Sequence, residues 1–317
     1  MRITLFLAAM TVATAASAAD DHAPRDAYGR PSFEGLWTNN TATPLERPAQ
    51  FKDAPTTDER TADAYAAQAS HAYIYNGDPV GARESEWFEK GARMLRIDGA
   101  FRTSMVVEPV DGLLPYTPEA RRKLAAANAT TLTAFDGPES RAAPDRCLAG
   151  NSGTTGAPML PANFTNNYQI VQTRETIAIV AETLHDARLI PLGPKRSAPV
   201  EPRRWSGNSV GWFEGASLVV ETAGFNPGES YKPSVGPYMS PDARVAERFT
   251  RQVDGSILYE FQVDDPGAFS KVWKARSLFT AIKGPLFEYA CHEGNYALEG
   301  MLAGARQSEE AARRAGP

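Results

Sequence analysis

The chain has 317 residues, a formal net charge of −5 with both signs interspersed, and 42% hydrophobic residues. A chain of this length can bury a sizeable core in one or two domains. Nucleic acid is excluded as an expected partner, because phosphate binding needs concentrated Lys and Arg and the sequence has no long basic run.

The start of the chain has the pattern of a secretory signal peptide. Arg2 supplies a positive start, residues 3–16 are apolar, and Ala16-Ser17-Ala18 is a small-x-small cleavage site. The apolar run is too short for a membrane anchor, and no later run approaches the roughly 20 apolar residues of a transmembrane helix. We therefore expect a signal peptide at 1–18, a periplasmic protein and no membrane insertion.

Residues 19–150 are rich in Pro, Ala and charge. The capping box in residues 56–59 predicts an Ala-rich helix that ends near Ser70. Pro118 suits the first turn of a second helix, and residues 33–37 predict a short strand. We expect this segment to be irregular and partly helical, and to wrap around the rest of the chain.

From Asn166 onward, β-branched runs alternate with short polar breaks, which is the pattern of consecutive hairpins. Strands are predicted at 168–172, 177–181, 211–213, 218–222, 245–251, 257–263, 272–279 and 287–291, followed by a helix at 297–314. Asp254-Gly255 is the strongest hairpin signal among them. Hairpins with no helices between them favour a mainly β fold: an antiparallel up-and-down, lipocalin-like β-barrel over 151–317, with a short C-terminal helix. Small barrels of this kind can hold one ligand inside.

Cys147 and Cys291 are the two cysteines of the chain. In an oxidising compartment two cysteines usually pair, and a reactive thiol is the less favoured alternative. A disulfide here would tie the N-terminal segment to the last predicted strand.

Several chemistries lack support in the sequence. Ser209 lies in a G-x-S-x-G pattern, but a nucleophile elbow needs a hydrophobic strand before it and a helix after it. No two of the four histidines have metal-ligand spacing, and the Glu-x-x-His pattern that ends at His185 lacks the helix and the second copy of a di-iron bundle. No dinucleotide fingerprint or P-loop occurs. We expect no metal and no nucleotide cofactor.

Two polar clusters contain candidate catalytic residues. Glu182, His185 and Arg188 lie around the end of a predicted strand, where a histidine beside a carboxylate could transfer protons inside a barrel. A surface ion-pair cluster is the equal alternative. His292 and Glu293 follow the last predicted strand and either line the barrel mouth or cap the C-terminal helix.

Several stretches together resemble a large family of exported bacterial proteins. They cover most of the mature chain and are residues 101–104, 137–141, 146–148, 166–173, 182–188, 212–215, 218–222, 247–251 and 289–296. Two stretches depart from the family: a G-D-S-R-G stretch appears here as Gly207-Asn208-Ser209-Val210-Gly211, and a G-D-T as Gly215-Ala216-Ser217. These losses of charge suggest a pocket for a less charged ligand.

The characterised members of that family are sphingomonad enzymes that act on phenylcoumaran lignin dimers. They remove the side-chain carbon as carbon dioxide or formaldehyde and leave a stilbene. The resemblance implies a cofactor-independent carbon–carbon lyase for a small aromatic substrate. His185 and Glu182 are then expected to transfer protons, and Tyr168 and Arg188 to orient phenolic oxygens.

Alternatives stay open at this point. His292 and Glu293 are the second candidate pair, and Tyr168 as a single tyrosine is more often a packing residue. The same barrel could carry an apolar or aromatic ligand without reacting it. A serine hydrolase through Ser209 is the third reading, and a homodimer is possible.

Overall fold

The computed structural model describes residues 24–74, 93–131, 135–149, 156–162, 165–227 and 237–315. Its main feature is a nearly closed antiparallel barrel, which confirms the predicted fold class. The predicted signal peptide lies outside the described residues.

Thirteen strands and three α-helices make up the regular structure of the described chain. In chain order they are β1 (Gly35–Thr38), β2 (Thr56–Thr57), α1 (Glu59–Ile74), β3 (Arg96–Ile97), β4 (Ala100–Arg102), β5 (Val106–Glu108), α2 (Pro118–Thr131), β6 (Asn167–Gln172), β7 (Thr176–Ala181), β8 (Ala187–Pro191), β9 (Asn208–Glu214), β10 (Ser217–Ala223), β11 (Arg244–Arg251), β12 (Ile257–Asp264), β13 (Trp273–Ala281) and α3 (Tyr296–Ala315).

The strand order around the barrel is β8-β7-β6-β1-β13-β12-β11-β10-β9. Two meanders, β6 to β8 and β9 to β13, are joined by β1, in which Trp37 pairs with Tyr168 on one side and Ala281 on the other. A parallel bridge between Leu192 and Gly211 nearly closes the barrel. The segment before residue 151 therefore supplies one barrel strand, and its β5 also pairs with β13.

The hairpin predictions are confirmed in β6–β7, β9–β10 and β11–β12. The predicted strand at 287–291 is wrong, because this segment is an irregular loop followed by a turn. Along the barrel path, β13 already has β12 and β1 as neighbours. The main-chain N–H groups of Phe287 and Tyr289 instead donate to side chains of another loop.

Aromatic side chains fill much of the described barrel interior. Ring centroids of Tyr259 lie 4.9 Å from Phe249 and 5.5 Å from Phe279. Met159, in the described segment 156–162, is 1% exposed and belongs to the same core. The rings occupy positions of period two along their strands, so they share the inner face. The interior is thus a packed core rather than an open cup in the part that the structure describes.

The remaining features of the fold are the helices and the disulfide. The side chain of Asp58 accepts the N–H of Thr61 at 2.8 Å and caps α1, which runs beyond the predicted end at Ser70. Among the described helices, none is long and apolar enough to cross a membrane. Cys147 and Cys291 form the predicted disulfide, although Cys291 lies in the loop after β13 instead of in a strand.

Candidate functional site

Two loops that are far apart in sequence meet where β7 joins β8. We call this place the rim and define it as residues 182–186 with residues 287–295. The N–H of Phe287 donates to Oε1 of Glu182 at 3.3 Å, and the N–H of Tyr289 donates to Nε2 of His185 at 3.2 Å. The structure therefore brings the two polar clusters of the sequence analysis to one place.

Glu182 is a buried anchor of the rim, since it is only 7% exposed. Its second oxygen accepts the side-chain amide of Asn167 at 2.6 Å, in addition to the bond from Phe287. Both carboxylate oxygens thus accept hydrogen bonds from neighbouring segments, which fixes the β7–β8 loop against residue 287.

His185 is exposed and lies on a strained turn. Leu184 and His185 have φ values of 58° and 51°, in the left-handed region that residues with a side chain rarely adopt. The next residue, Asp186, accepts the hydroxyl of Ser206 at 3.1 Å. Strain at consecutive bulky residues persists only where the surroundings hold it, and such positions cluster at functional sites.

His292 and Glu293 are exposed on the turn after Cys291. The side-chain amide of Asn295 ties this turn to the main chain by donating to the carbonyl of Asp145 at 3.0 Å. The disulfide and this hydrogen bond fix the segment that contains Tyr289, His292 and Glu293. Burial raises the pKa of the Tyr289 phenol above its usual value, so this hydroxyl stays protonated at neutral pH.

A second polar cluster lies inside the barrel. Arg188 donates to both carboxylate oxygens of Glu247, at 2.9 Å for the Nη1–Oε1 bond, and the two side chains are 2% and 0% exposed. Its Nε donates to Ser209 at 2.9 Å and its Nη2 to Thr222 at 2.7 Å. Although burial lowers the pKa of Arg188, the Glu247 carboxylate raises it overall, so the guanidinium stays charged.

Tyr259 extends this interior cluster. Its hydroxyl donates to Glu247 at 2.7 Å and accepts the N–H of Met159 at 2.9 Å. Burial, followed by the neighbouring Glu247 charge, raises the pKa of Tyr259 well above its usual range. The phenol is therefore neutral and bridges the ion pair to the segment around Met159.

The predicted site residues fall into two groups. Glu182, His185, His292 and Glu293 lie at the rim, whereas Tyr168 and Arg188 lie in the interior. Tyr168 is fully buried, with its ring 5.5 Å from that of Phe279 in an edge arrangement. These two interior residues are thus placed beneath the rim and not beside His185 on the surface.

Sequence reasoning missed Glu247 and Tyr259. The signal was present in β11, where Val245, Glu247 and Phe249 alternate with exposed or half-exposed residues and share one face. A charged residue in such an apolar series predicts a buried partner of opposite charge.

Ser209 does not have the setting of a hydrolase nucleophile. It lies inside strand β9, is 8% exposed, and shares its hydroxyl with Thr222 at 2.8 Å and with Arg188. A nucleophile elbow lies between a strand and a helix instead. Within the described residues, no group of three or more His, Cys, Asp or Glu side chains is arranged to hold a metal ion.

No protein-family model matches the chain, and no curated protein matches its sequence. The class that the structure defines is a nearly closed antiparallel β-barrel with an exposed histidine rim above a buried Arg–Glu–Tyr cluster.

Proposed function

We propose that the chain is a cofactor-independent carbon–carbon lyase that acts on a phenylcoumaran aromatic dimer at the rim. The observation that carries the proposal is the position of His185, exposed on a strained turn and contacted by the loop that also holds His292 and Glu293. An exposed imidazole can take a proton from a substrate and return one within a turnover. A bulky aromatic dimer can reach such a group from solution.

The reaction needs one proton removed and one proton supplied. A base takes the proton of the side-chain hydroxyl. The hydroxyl oxygen then forms the carbonyl of formaldehyde as the bond between the hydroxymethyl carbon and the adjacent ring carbon breaks. That electron pair forms the alkene and expels the aryl oxygen of the dihydrofuran ring, which is protonated to a phenol. With a side-chain carboxylate, carbon dioxide leaves by the same electron flow. No electrons are gained or lost overall.

His185 is the proposed proton-transfer group. Its Nε2 accepts the N–H of Tyr289 and therefore has a lone pair. The substrate hydroxyl is proposed to replace that N–H and transfer its proton to Nε2, which then returns the proton to the departing aryl oxygen. Glu182 has both oxygens engaged and is proposed to hold the loop rather than to transfer a proton. Tyr168 and Arg188 are proposed to support the rim from within the barrel.

The carrier alternative needs a cavity that encloses the ligand. In the described part of the barrel, the rings of Phe249, Tyr259 and Phe279 contact one another in the place where such a ligand would lie. This packing favours chemistry at the rim over storage inside.

Export is part of the proposal. The Cys147–Cys291 bond supports it, because disulfides persist in the periplasm and are rare in the cytosol. The protein would then meet lignin fragments after they have crossed the outer membrane. The predicted homodimer is not needed for this chemistry and stays a prediction.

Incubation of the mature protein with a phenylcoumaran dimer that bears a hydroxymethyl group tests the proposal. We expect a stilbene and formaldehyde in equal amounts, detected by mass and by the stilbene absorbance, without added metal or nucleotide. Recovery of unchanged dimer, whether free or tightly bound to the protein, would contradict the lyase. Tight binding of unchanged dimer would support the carrier instead.

A further inference from the structure

The C-terminal helix α3 forms a groove with the chain at Phe135 and Asp136. The groove has a volume of about 480 Å³ and is lined by these two residues and by one face of α3. Arg306 on α3 fixes this arrangement, since its guanidinium donates to the carbonyl of Asp136 at 3.0 Å and to that of Phe135 at 2.7 Å. Sites for small molecules commonly have volumes of about 300–1,000 Å³, so the groove is large enough for one.

The groove is open to solvent, in contrast to the packed interior of the barrel. None of the described residues of α3 is buried, and Phe135 and Asp136 are half-buried and exposed. Gly304 lines the groove, and a Cβ atom added there would meet no other atom within 4 Å. A ligand could therefore enter from solution and contact the lining residues directly.

Part of the groove lining is apolar. Phe135, Met301 and Ala305 supply an aromatic ring, a thioether and a methyl group. Aromatic and thioether groups contact aromatic rings favourably. The guanidinium carbon of Arg141 lies 5.1 Å from the centre of the Phe135 ring, and Asp145 compensates the charge of that arginine at 2.9 Å. This part of the groove suits the apolar body of a ligand.

The polar side chains of the lining are hydrogen-bond acceptors. Asp136 and Glu309 contribute carboxylates, which accept hydrogen bonds when ionised. The hydroxyl of Ser308 donates to the carbonyl of Gly304 at 3.0 Å, so its oxygen can still accept. Arg306 donates to Glu309 at 2.7 Å and compensates one of the two negative charges. Together these three charged side chains have a net charge of −1, which matches one monovalent cation.

We propose that this groove binds a small primary amine with an aromatic body. The ammonium group has three N–H donors for the acceptors of Asp136, Ser308 and Glu309, and the ring would pack against Phe135 and Met301. A calcium ion fits less well, because it needs six to eight oxygen ligands and much of the lining is apolar. The site goes beyond the proposed lyase and requires no residue of the rim.

Calorimetric titration of the full mature protein with 2-phenylethylamine at neutral pH tests the ligand class. The comparison ligands are 2-phenylethanol, which lacks the charge, and methylamine, which lacks the ring. We expect the aromatic amine to bind at least about fivefold more tightly than either of them. Glu309→Gln should weaken its binding by about fivefold, whereas the control Glu310→Gln, which pairs with Arg314 outside the groove, should change it by less than about twofold.

Filling the groove tests its location. Gly304→Leu places a side chain in the open space and should weaken binding of the amine by about tenfold or more. Leucine is a better helix former than glycine, so this variant should melt no lower than the wild type. The matched control is Ala303→Leu, at the neighbouring exposed position outside the groove lining, and should change binding by less than about twofold.

Four results would overturn the proposal. They are no measurable binding of 2-phenylethylamine by the wild type at millimolar ligand, equal binding of 2-phenylethanol, unchanged binding by Gly304→Leu, and equal weakening by Ala303→Leu. Titration with calcium chloride gives a further comparison. Calcium bound more tightly than the amine, and lost in Glu309→Gln, would contradict the proposal by assigning the groove to a metal ion.

Discussion

Arg188 and Glu247 form a salt bridge inside the barrel in which neither side chain reaches solvent. Ser209 and Thr222 accept two further hydrogen bonds from the guanidinium, and Tyr259 donates to the carboxylate. The two charges lie on β8 and β11, which are not neighbours in the sheet, so the pair links separate strands through the barrel interior. Such a pair is weak evidence for net stability, but breaking it exposes one partner as an uncompensated buried charge.

Glu247→Gln should therefore destabilise the protein by about 3–5 kcal/mol, because Arg188 loses its counter-charge in a dry environment. Urea denaturation of the variant and the wild type measures the difference. The double variant Arg188→Met/Glu247→Leu should be more stable than Glu247→Gln alone. The exposed pair of Glu108 and Lys274 is the control, and Glu108→Gln should cost less than about 1 kcal/mol. Equal losses in the buried and exposed pairs would refute the assignment of the interior as dry.

Stability should fall in alkaline solution because of the buried tyrosines. The pKa of Tyr259 is raised well above the usual value of 10.0, so the folded state keeps a proton that the unfolded state releases. The contribution of such a tyrosine to the free energy of unfolding is fully present below about pH 10. It declines as the pH rises further, by about 1.4 kcal/mol per pH unit for each such tyrosine.

Tyr259→Phe tests this dependence. The variant should be less stable at neutral pH, since Glu247 and the N–H of Met159 lose a partner, but its stability should decline less steeply above about pH 10. Unfolding free energies at several alkaline pH values give the two slopes. Tyr296→Phe, at an exposed position, is the control and should keep the wild-type slope. Identical slopes for Tyr259→Phe and the wild type would be the contrary result.

The disulfide should contribute strongly to stability because it closes a loop of 144 residues. The chain-entropy model gives about 4–5 kcal/mol for a loop of this length. Denaturation with and without a reducing agent measures this contribution. We also expect faster hydrogen exchange in residues 287–295 after reduction, since the bond anchors that part of the rim. Unchanged exchange there would show that the hydrogen bonds to Glu182 and His185 anchor this segment without the disulfide.

The turn at Leu184 should reverse the ordinary ranking of alanine and glycine. Leu184 has a φ of 58°, which glycine adopts without steric cost and alanine does not. Leu184→Gly should accordingly be more stable than Leu184→Ala by about 1 kcal/mol, as measured by thermal or urea unfolding. A control at Leu189, which is exposed within β8, should show alanine more stable than glycine. Alanine proving the better residue at 184 would argue against strain in this turn.

The hairpins could be predicted because their signals are local. Asp254-Gly255 fixes a tight turn, and the β-branched runs on either side have the period of a half-buried strand. The insertion of β1 between β6 and β13 could not be predicted, because pairing over more than 120 residues leaves no short-range pattern. The error at 287–291 has the same origin, since an aromatic and apolar run can pack as a loop when side chains accept its N–H groups.

The site was only partly predictable. Polar clustering marked Glu182 and His185, but the positive φ at Leu184 breaks the alternation, so the inward direction of Arg188 could not be derived from the spacing. Glu247 and Arg251 share the inner face of β11 with period two, and that pattern was visible in the sequence. Their contact partners are far away in the sequence, so only the structure identifies them.

The comparison of turnover by the wild type, His185→Ala and Lys283→Ala tests the central claim most directly. Each protein is given the same hydroxymethyl phenylcoumaran dimer, and the initial rate of stilbene formation is measured. We predict a loss of at least about 100-fold for His185→Ala, as is typical when a proton-transfer group is removed, and an unchanged rate for the exposed control Lys283→Ala. Full turnover by His185→Ala would contradict the assignment of the rim as the active site.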